Sequence, residues 1–255
     1  MNNEVNCRLC LSKSSYVFKR KLLKFNVSYF QCERCGYLQT EEPFWLEDAY
    51  KEEINLTDTG LAARSIHNLG VVLAFYLSSQ LKKPLLLDYS GGYGLLTRLL
   101  RDSGVNAFWS DKYCKCLFSR GFEDNGNTKY DIVTSFEVLE HLHNTKKELN
   151  KILGKGDNFI FTTSLYKNNV PSDWWYFGSE HGQHIGLYTK KSMQYIANEN
   201  NFFYSCILKD YHIFTKKRFS VVKFYIYYML VRFFSAHLLF LRSKIWEDHL
   251  MLKSK

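Results

Sequence analysis

Between residues 84 and 216 short apolar runs alternate with amphipathic stretches, and this alternation predicts a mostly parallel sheet covered by helices. The first run, Leu85 to Tyr89, is entered through Lys82-Lys83-Pro84, where the proline ends a preceding helix and starts the strand. Leu95 to Asp102 reads as a helix and Ala107 to Ser110 as a second strand; a short helical segment and a strand at Asp131 to Ser135 follow. Asn158 to Thr162 is a further strand. Thr189 is placed to N-cap a helix over Lys190 to Glu199, and strands near Phe202 to Leu208 and Tyr211 to Lys216 close the pattern. Upstream, residues 41–83 read mainly as helix, with the apolar stretch Leu69 to Leu81 leading to Pro84.

The two ends depart from this alternation. Cys7-Arg8-Leu9-Cys10 and Cys32-Glu33-Arg34-Cys35, with Gly36 behind the second pair, supply four soft ligands on two tight turns. Two separated pairs of this kind suit tetrahedral zinc better than one catalytic dithiol, and Ser28 to Gln31 reads as a short strand feeding the second turn. So short a segment buries little apolar surface, so metal binding is expected to supply much of its folding free energy. At the other end Phe219 to Ala236 is largely apolar or aromatic but is broken by Ser220, Lys223, Arg232 and Ser235, and bordered by Lys216, Lys217, Arg218, Arg242 and Lys244. A buried helix or substrate lid, an interfacial helix and a membrane span are its three readings, and the internal charges count against the span. The organisation expected is a zinc-binding module at 1–40, a helical linker and cap at 41–83, a core domain at 84–216 and an aromatic, basic helical segment at 217–255.

Composition narrows the classes. With 46% apolar residues and three prolines in 255, the chain can build one substantial core and a small accessory module, and neither a collagen-like nor a disordered chain fits. Thirty-four basic against 25 acidic residues give a formal charge of +9, compatible with nucleic acid, anionic lipid or a phosphorylated small molecule. Asn2, Glu4, Asn6 and Arg8 interrupt any secretory-signal pattern, and the paired cysteines suit a reducing compartment, so a cytoplasmic protein is expected, with peripheral membrane contact through the C-terminal segment.

The turn Asp88-Tyr89-Ser90-Gly91-Gly92-Tyr93-Gly94 follows the first strand and precedes a helix, the context in which glycines let backbone approach a ligand and a helix N-terminus favours a carboxylate or a diphosphate. It resembles the D-x-G-x-G-x-G motif of class I S-adenosyl-L-methionine (SAM)-dependent methyltransferases, with Asp88, Gly92 and Gly94 matching and Ser90 replacing the first glycine. The resemblance implies a Rossmann-like α/β sheet that binds SAM, with a zinc-ribbon-like module before it. It also implies that the acidic residue ending the second strand, Asp111, holds the ribose hydroxyls, with Glu123 or Asp124 near the adenine. A carboxylate has acceptors for two vicinal hydroxyls. The segment Phe136-Glu137-Val138-Leu139-Glu140-His141 is similar to the strand-four E-V-L-E-H of many class I methyltransferases, and it makes a Rossmann dehydrogenase the minor alternative. Phe136 and Glu137 then join the cofactor side.

If a helix begins at Glu137, the Glu137, Glu140 and His141 side chains converge one turn apart. With His181 or His184 they resemble the E-x-x-E-H plus downstream histidine of small-RNA 2′-O-methyltransferases, where Mg, Mn or Zn lowers the pKa of an acceptor hydroxyl. Metal-free acid–base catalysis by the same residues and a purely structural cluster stay open. After the fifth strand, Pro171-Ser172-Asp173-Trp174-Trp175-Tyr176-Phe177-Gly178-Ser179-Glu180-His181-Gly182-Gln183-His184 offers flat aromatic walls and two imidazoles, or else seals the core. In the family such residues line the acceptor pocket, so His181 and His184 are expected as bases or metal ligands. A zinc module beside this body also resembles bacterial sugar C-methyltransferases and certain rRNA methyltransferases. The expectation is O-methylation of a small hydroxylated metabolite or glycan precursor, including a phosphorylated or nucleotide-linked sugar. RNA methylation, and SAM or membrane binding without catalysis, are the alternatives.

Overall fold

Lys13 to Leu22 and Phe25 to Cys32 form a hairpin joined by Leu23 and Lys24, with Leu22 opposite Phe25 and a bulge between Tyr16 and Phe18. The computed structural model describes residues 4–50, 60–167 and 174–234, together with 244, 247, 250 and 251. In chain order the strands and helices are β1 (Glu4–Asn6), β2 (Lys13–Leu22), β3 (Phe25–Cys32), β4 (Leu38–Thr40), α1 (Leu46–Ala49), α2 (Leu61–Ser79), β5 (Leu85–Tyr89), α3 (Leu95–Asp102), β6 (Asn106–Ser110), β7 (Tyr130–Ser135), α4 (Thr145–Leu153), β8 (Gly156–Thr162), β9 (Gly186–Leu187), α5 (Lys190–Glu199), β10 (Phe203–Leu208), β11 (Tyr211–Thr215) and α6 (Val221–Phe233). They pack as two compact units. One comprises residues 1–55, 136–154 and 161–214; the other comprises 56–135, 155–160 and 215–255.

The unit that carries the cysteines has a sheet in the order β1-β2-β3-β4-β9, antiparallel from β1 to β9. Its core gathers Leu22, Val27, Tyr29 and Leu38 from the sheet with Trp45, Tyr176, Phe177 and Ile185. Phe18 stacks on Tyr29 with ring centroids 4.9 Å apart, and the Trp45 indole donates to the Gly182 carbonyl at 2.8 Å. The aromatic loop therefore does two things: Tyr176 and Phe177 seal this core, while Trp175 is exposed. Pro171, Ser172 and Asp173 lie outside the described residues. Thr189 caps α5 as the sequence predicts, and Ser192 completes a reciprocal capping box. Also in this unit, β10 and β11 line up in order beside the end of β8.

The other unit is built on β5, which pairs in parallel with β6 (Leu85 opposite Asn106, Tyr89 opposite Ser110) and with β7 (Asp88 opposite Thr134). Its strand order is β8-β7-β5-β6. This is the alternating α/β sheet expected from the sequence. α2 packs against α3 and α6, bringing His67 within 6.2 Å of the Tyr228 ring and Phe75 within 5.0 Å of the Phe219 ring.

Where it is described, 41–83 is mainly helical as expected, and one expectation is corrected further along the chain. Within 41–83 the described helices are α1 and α2; ahead of them Glu41 pairs back to the hairpin, its amide donating to the Ser28 carbonyl at 2.8 Å and its carboxylate accepting from the Ser28 amide at 2.6 Å. No helix forms between β6 and β7. Asp111 instead accepts the Tyr113 and Cys114 amides and folds a turn, and Trp109 bridges to Glu123. The described C-terminal helix is α6, which buries Phe224 and Tyr228 and exposes Val222, Ile226, Met229 and Phe233. Residues 235–243 lie outside the described residues. By length and composition α2 is the one helix among the described residues that would suffice to cross a membrane, and 39% of it is buried.

Candidate functional site

The turn between β5 and α3 is held from below by a buried carboxylate. Asp88 is 2% exposed and accepts from the Thr134 hydroxyl at 2.9 Å and the Thr97 hydroxyl at 3.2 Å. Burial raises its pKa to about 6 against the pull of these two hydroxyls, and Asp111 adds to the rise. A Cβ on Gly91 would stand 2.6 Å from an Asp88 oxygen, so glycine is required where the chain crosses this carboxylate. Ser90, Gly92 and Gly94 all take positive φ (57°, 55° and 82°); a short polar residue tolerates this conformation, which is how Ser90 stands where a glycine was expected. A Cβ on Gly94 would collide with the Ser119 hydroxyl and lie 3.0 Å from the Cys116 sulfur, whereas nothing lies within 4 Å of one on Gly92. The turn is thus packed tight at Gly94 and open at Gly92, beside the N-terminus of α3. That is a cradle for a ligand bearing a carboxylate.

Asp111 braces the same turn. Its Oδ2 accepts the Gly92 amide at 3.0 Å and its Oδ1 accepts the Tyr113 and Cys114 amides at 2.8 and 2.9 Å, filling three of about four acceptor positions of a carboxylate. The Trp109 indole donates to the Gly92 carbonyl at 2.9 Å. Asp124 is tied to Lys155 at 2.8 Å and to the Tyr130 hydroxyl at 2.8 Å, and Glu123 accepts the Gly121 amide. At the end of β7, the buried Ser135 hydroxyl has no hydrogen-bond partner among the described residues.

In the cysteine-bearing unit, Glu137 has φ 56° and precedes a single 3-10 turn, Leu139 to His141. Its amide donates to the Thr162 hydroxyl at 2.9 Å, and that hydroxyl donates back to Glu137 Oε1 at 2.6 Å. The helical convergence of Glu137 with Glu140 and His141 therefore does not form. The 3-10 turn gathers a different set: Glu140, His141 and His184, whose ligand atoms lie within 4.8 Å of one another. The ring centroids of His141 and His184 are 4.9 Å apart, and His181 lies 4.8 Å from His184. Each of the first two imidazoles is anchored through Nδ1 on a backbone carbonyl, His184 on Tyr176 at 2.5 Å and His141 on Gln183 at 3.1 Å, with the Tyr50 hydroxyl also at 3.1 Å from the latter. A carbonyl only accepts, so Nδ1 carries the proton and Nε2 presents a lone pair. His181 is the reverse, because its Nδ1 accepts the Gln183 amide at 3.2 Å. His143 pairs with Glu42 at 2.7 Å on the exposed side.

Glu140 is fully buried, and neither carboxylate oxygen has a partner at hydrogen-bonding geometry. Burial lifts its pKa to about 8, the Glu137 charge adds to this, and the nearby Tyr176 and Thr163 hydroxyls oppose it. Burial likewise lowers His141 to about 4 and pushes His184 well below the ordinary range, with the neighbouring imidazoles adding to the latter shift. Burial thus disfavours charge on all three groups of the cluster.

Residues 63–205, more than half of the chain, match a family described as a methyltransferase domain. The chain belongs to this family. It is a SAM-dependent methyltransferase. No curated protein matches it. Among solved structures it is similar to magnesium protoporphyrin IX methyltransferase from Synechocystis PCC 6803 with bound SAH (15% identity over 67% of this chain and 90% of that one, TM-score 0.45). It is also similar to mitomycin 7-O-methyltransferase (14%, 60% and 53%, 0.43) and to an O-methyltransferase family protein from Burkholderia thailandensis (12%, 69% and 68%, 0.41).

In this methyltransferase the expected cofactor residues Asp88, Ser90, Gly92, Gly94 and Asp111 occupy one turn and its brace. Phe136 packs near the Tyr211 ring at 6.0 Å, and Glu137 is bound to Thr162. Thr97, Thr134 and Trp109, which hold the turn, were not singled out by sequence; a threonine inside the buried Ile132-Val133-Thr134-Ser135 run is the available signal. Cys7, Cys10, Cys32 and Cys35 converge, all four buried and unoxidised, with their sulfurs within 4.8 Å of one another. Cys7 and Cys35 are 3.6 Å apart and Cys10 and Cys32 3.4 Å, close to the ~3.8 Å edge of a tetrahedral zinc–thiolate site with 2.3 Å bonds. The Cys35 thiol, donating to Cys7, lowers the pKa of the latter, aided by the Cys10 and Leu9 amides.

Proposed function

We propose that this methyltransferase moves the methyl group of SAM to a hydroxyl oxygen of a small metabolite or glycan precursor, and that a phosphorylated or nucleotide-linked sugar is the natural acceptor. SAM supplies an electrophilic methyl on a sulfonium, whose S–C bond electrons remain on sulfur as S-adenosylhomocysteine is released. The turn residues Gly92 and Gly94, with the N-terminus of α3, hold its methionyl end, and Asp111 and Ser90 shape that turn. The observation that carries the oxygen-acceptor reading is the Glu140, His141 and His184 cluster. Two neutral imidazoles fixed with Nε2 lone pairs can take a hydroxyl proton directly or bind a cation that acidifies it. His181, protonated at Nε2, is suited to donate a hydrogen bond to the acceptor. Positive charge and the exposed Trp175 support an anionic, sugar-bearing acceptor.

The four thiols fit structural zinc and a reducing, cytoplasmic setting. In the test, purified protein is incubated with SAM and a panel of hydroxylated metabolites, sugar phosphates and nucleotide sugars, and S-adenosylhomocysteine is measured. Turnover with a sugar-linked acceptor is expected. Absence of turnover across the panel together with robust methylation of RNA would overturn the acceptor assignment. His184→Ala should depress turnover far more than SAM affinity; equal losses of both would return this histidine to a structural role.

A further inference from the structure

Glu140 is the least explained buried group among the described residues. A carboxyl that is fully enclosed with both oxygens unpartnered forfeits its hydration without replacement, which costs several kcal/mol if the group is charged. Its position is not slack: the Tyr188 hydroxyl donates to the Leu139 carbonyl at 2.9 Å, and the Ile185 amide donates to the Glu140 carbonyl at 2.9 Å, so the 3-10 turn is pinned on both sides. The two histidines that face it are each locked through Nδ1 on a main-chain carbonyl, the outer-shell arrangement that fixes the tautomer of a metal-bound histidine. Three neighbouring residues have other commitments, Glu137 to Thr162, His143 to Glu42 and His181 to the Gln183 amide.

We propose that Glu140, His141 and His184 form a second metal site, distinct from the four thiolates and open to one further ligand, that binds a divalent transition metal of the zinc and cobalt type. Two imidazole nitrogens select against Mg, which demands oxygen ligands in a near-ideal octahedron, and the absence of thiolates sets the site apart from the cysteine cluster. Their ligand atoms lie within 4.8 Å of one another, against the ~3.4 Å edge of a tetrahedron of 2.1 Å bonds. Four cysteines close their metal off, whereas three protein donors leave a fourth position for water or an acceptor oxygen. Only that last use rests on the methyl-transfer reading; ion binding stands without it.

The test uses the full chain, purified under reducing conditions with zinc retained on the thiolates, and titrates it with Co2+. One further equivalent should bind, giving visible d–d bands without the thiolate-to-cobalt charge-transfer absorption that cobalt in the cysteine site would show. Glu140→Gln and His184→Asn should each weaken that equivalent by at least about tenfold while the thiolate zinc stays bound, and Glu137→Gln should leave it unchanged. Excess Mg2+ should not compete. The proposal falls if the zinc-loaded wild type takes up no second equivalent, or if both cluster variants bind it as tightly as wild type. A second ion bound with no SAM turnover would instead sink the methyl-transfer assignment and leave the site standing.

Discussion

Gly92 and Gly94 stand two residues apart in the same turn with the same backbone handedness, yet alanine should harm the protein differently at each. At Gly94 a methyl group meets the Ser119 hydroxyl, the Cys116 sulfur at 3.0 Å and Trp109 at 3.3 Å. Ser119 is buried and its hydroxyl is bonded to Cys116 at 3.2 Å, so the wall has little room to retreat. The left-handed conformation costs an alanine about 1–2 kcal/mol and the overpacking about 1–3 more. A total near 3 kcal/mol, at roughly 2–4 °C per kcal/mol for a chain of this size, lowers Tm by roughly 6–12 °C. At Gly92 nothing lies within 4 Å of the added methyl. Only the conformational term applies there, about 1 kcal/mol and a few degrees. The methyl then occupies the open face through which SAM would approach, and an at least tenfold weaker Kd is expected, about 1.4 kcal/mol. Thermal unfolding and isothermal titration with SAM measure the two effects separately. If Gly92→Ala binds SAM as wild type does, or if Gly94→Ala melts with it, the account of which face of the turn is packed and which is free is wrong.

Other consequences follow from single residues. Asp88 has its pKa raised from 3.8 to about 6 by burial, so its proton is held more tightly folded than unfolded, and native stability falls as pH rises from 4 to 6. Urea unfolding across that range should show wild-type stability dropping by about 2 kcal/mol relative to Asp88→Asn, and parallel profiles would refute it. If the four cysteines hold the proposed zinc, chelation, or replacing Cys10 with serine, should strip hydrogen-exchange protection from β1 to β4, since the binding free energy is folding free energy; unchanged protection would make a metal there dispensable. Val222, Ile226, Met229 and Phe233 form an exposed apolar stripe along α6 at spacings of four, three and four, with Lys223 and Arg232 on the same helix. Vesicles containing anionic lipid should therefore sediment the protein in a salt-sensitive manner, and Ile226→Glu with Met229→Glu should abolish this; no binding by wild type would remove the membrane contact.

What could be read in advance was wherever the chain punctuates itself. The bounds of β5 and α3 agree with those expected, because Pro84 starts the one and the glycines of 91–94 separate the two. The cap of α5 was equally legible, since Thr189 acts on residues three positions away. β2 was not, because Lys13, Lys19, Arg20 and Lys21 dilute its apolar face in a sheet that shows much of one side to water. Nor could local pattern show that Gly186 and Leu187 pair with β4, a contact between segments nearly 150 residues apart that is possible only because Gly186 lets the Tyr37 ring pass.

The histidine cluster makes the same point about chemistry. Residue types and spacing nominated Glu137, Glu140 and His141 on the premise of a helix beginning at Glu137, and the family resemblance added His181 and His184 from the aromatic loop. A positive φ at Glu137 breaks that premise, and nothing in a glutamate announces it. The choice between His181 and His184 then rests on what each Nδ1 meets: a main-chain carbonyl of Tyr176 frees Nε2 of His184 to accept or ligate, while the Gln183 amide leaves Nε2 of His181 protonated. Two imidazoles in one loop, three residues apart, are thereby assigned opposite chemistry by backbone groups that every residue carries. Composition alone is blind to that distinction.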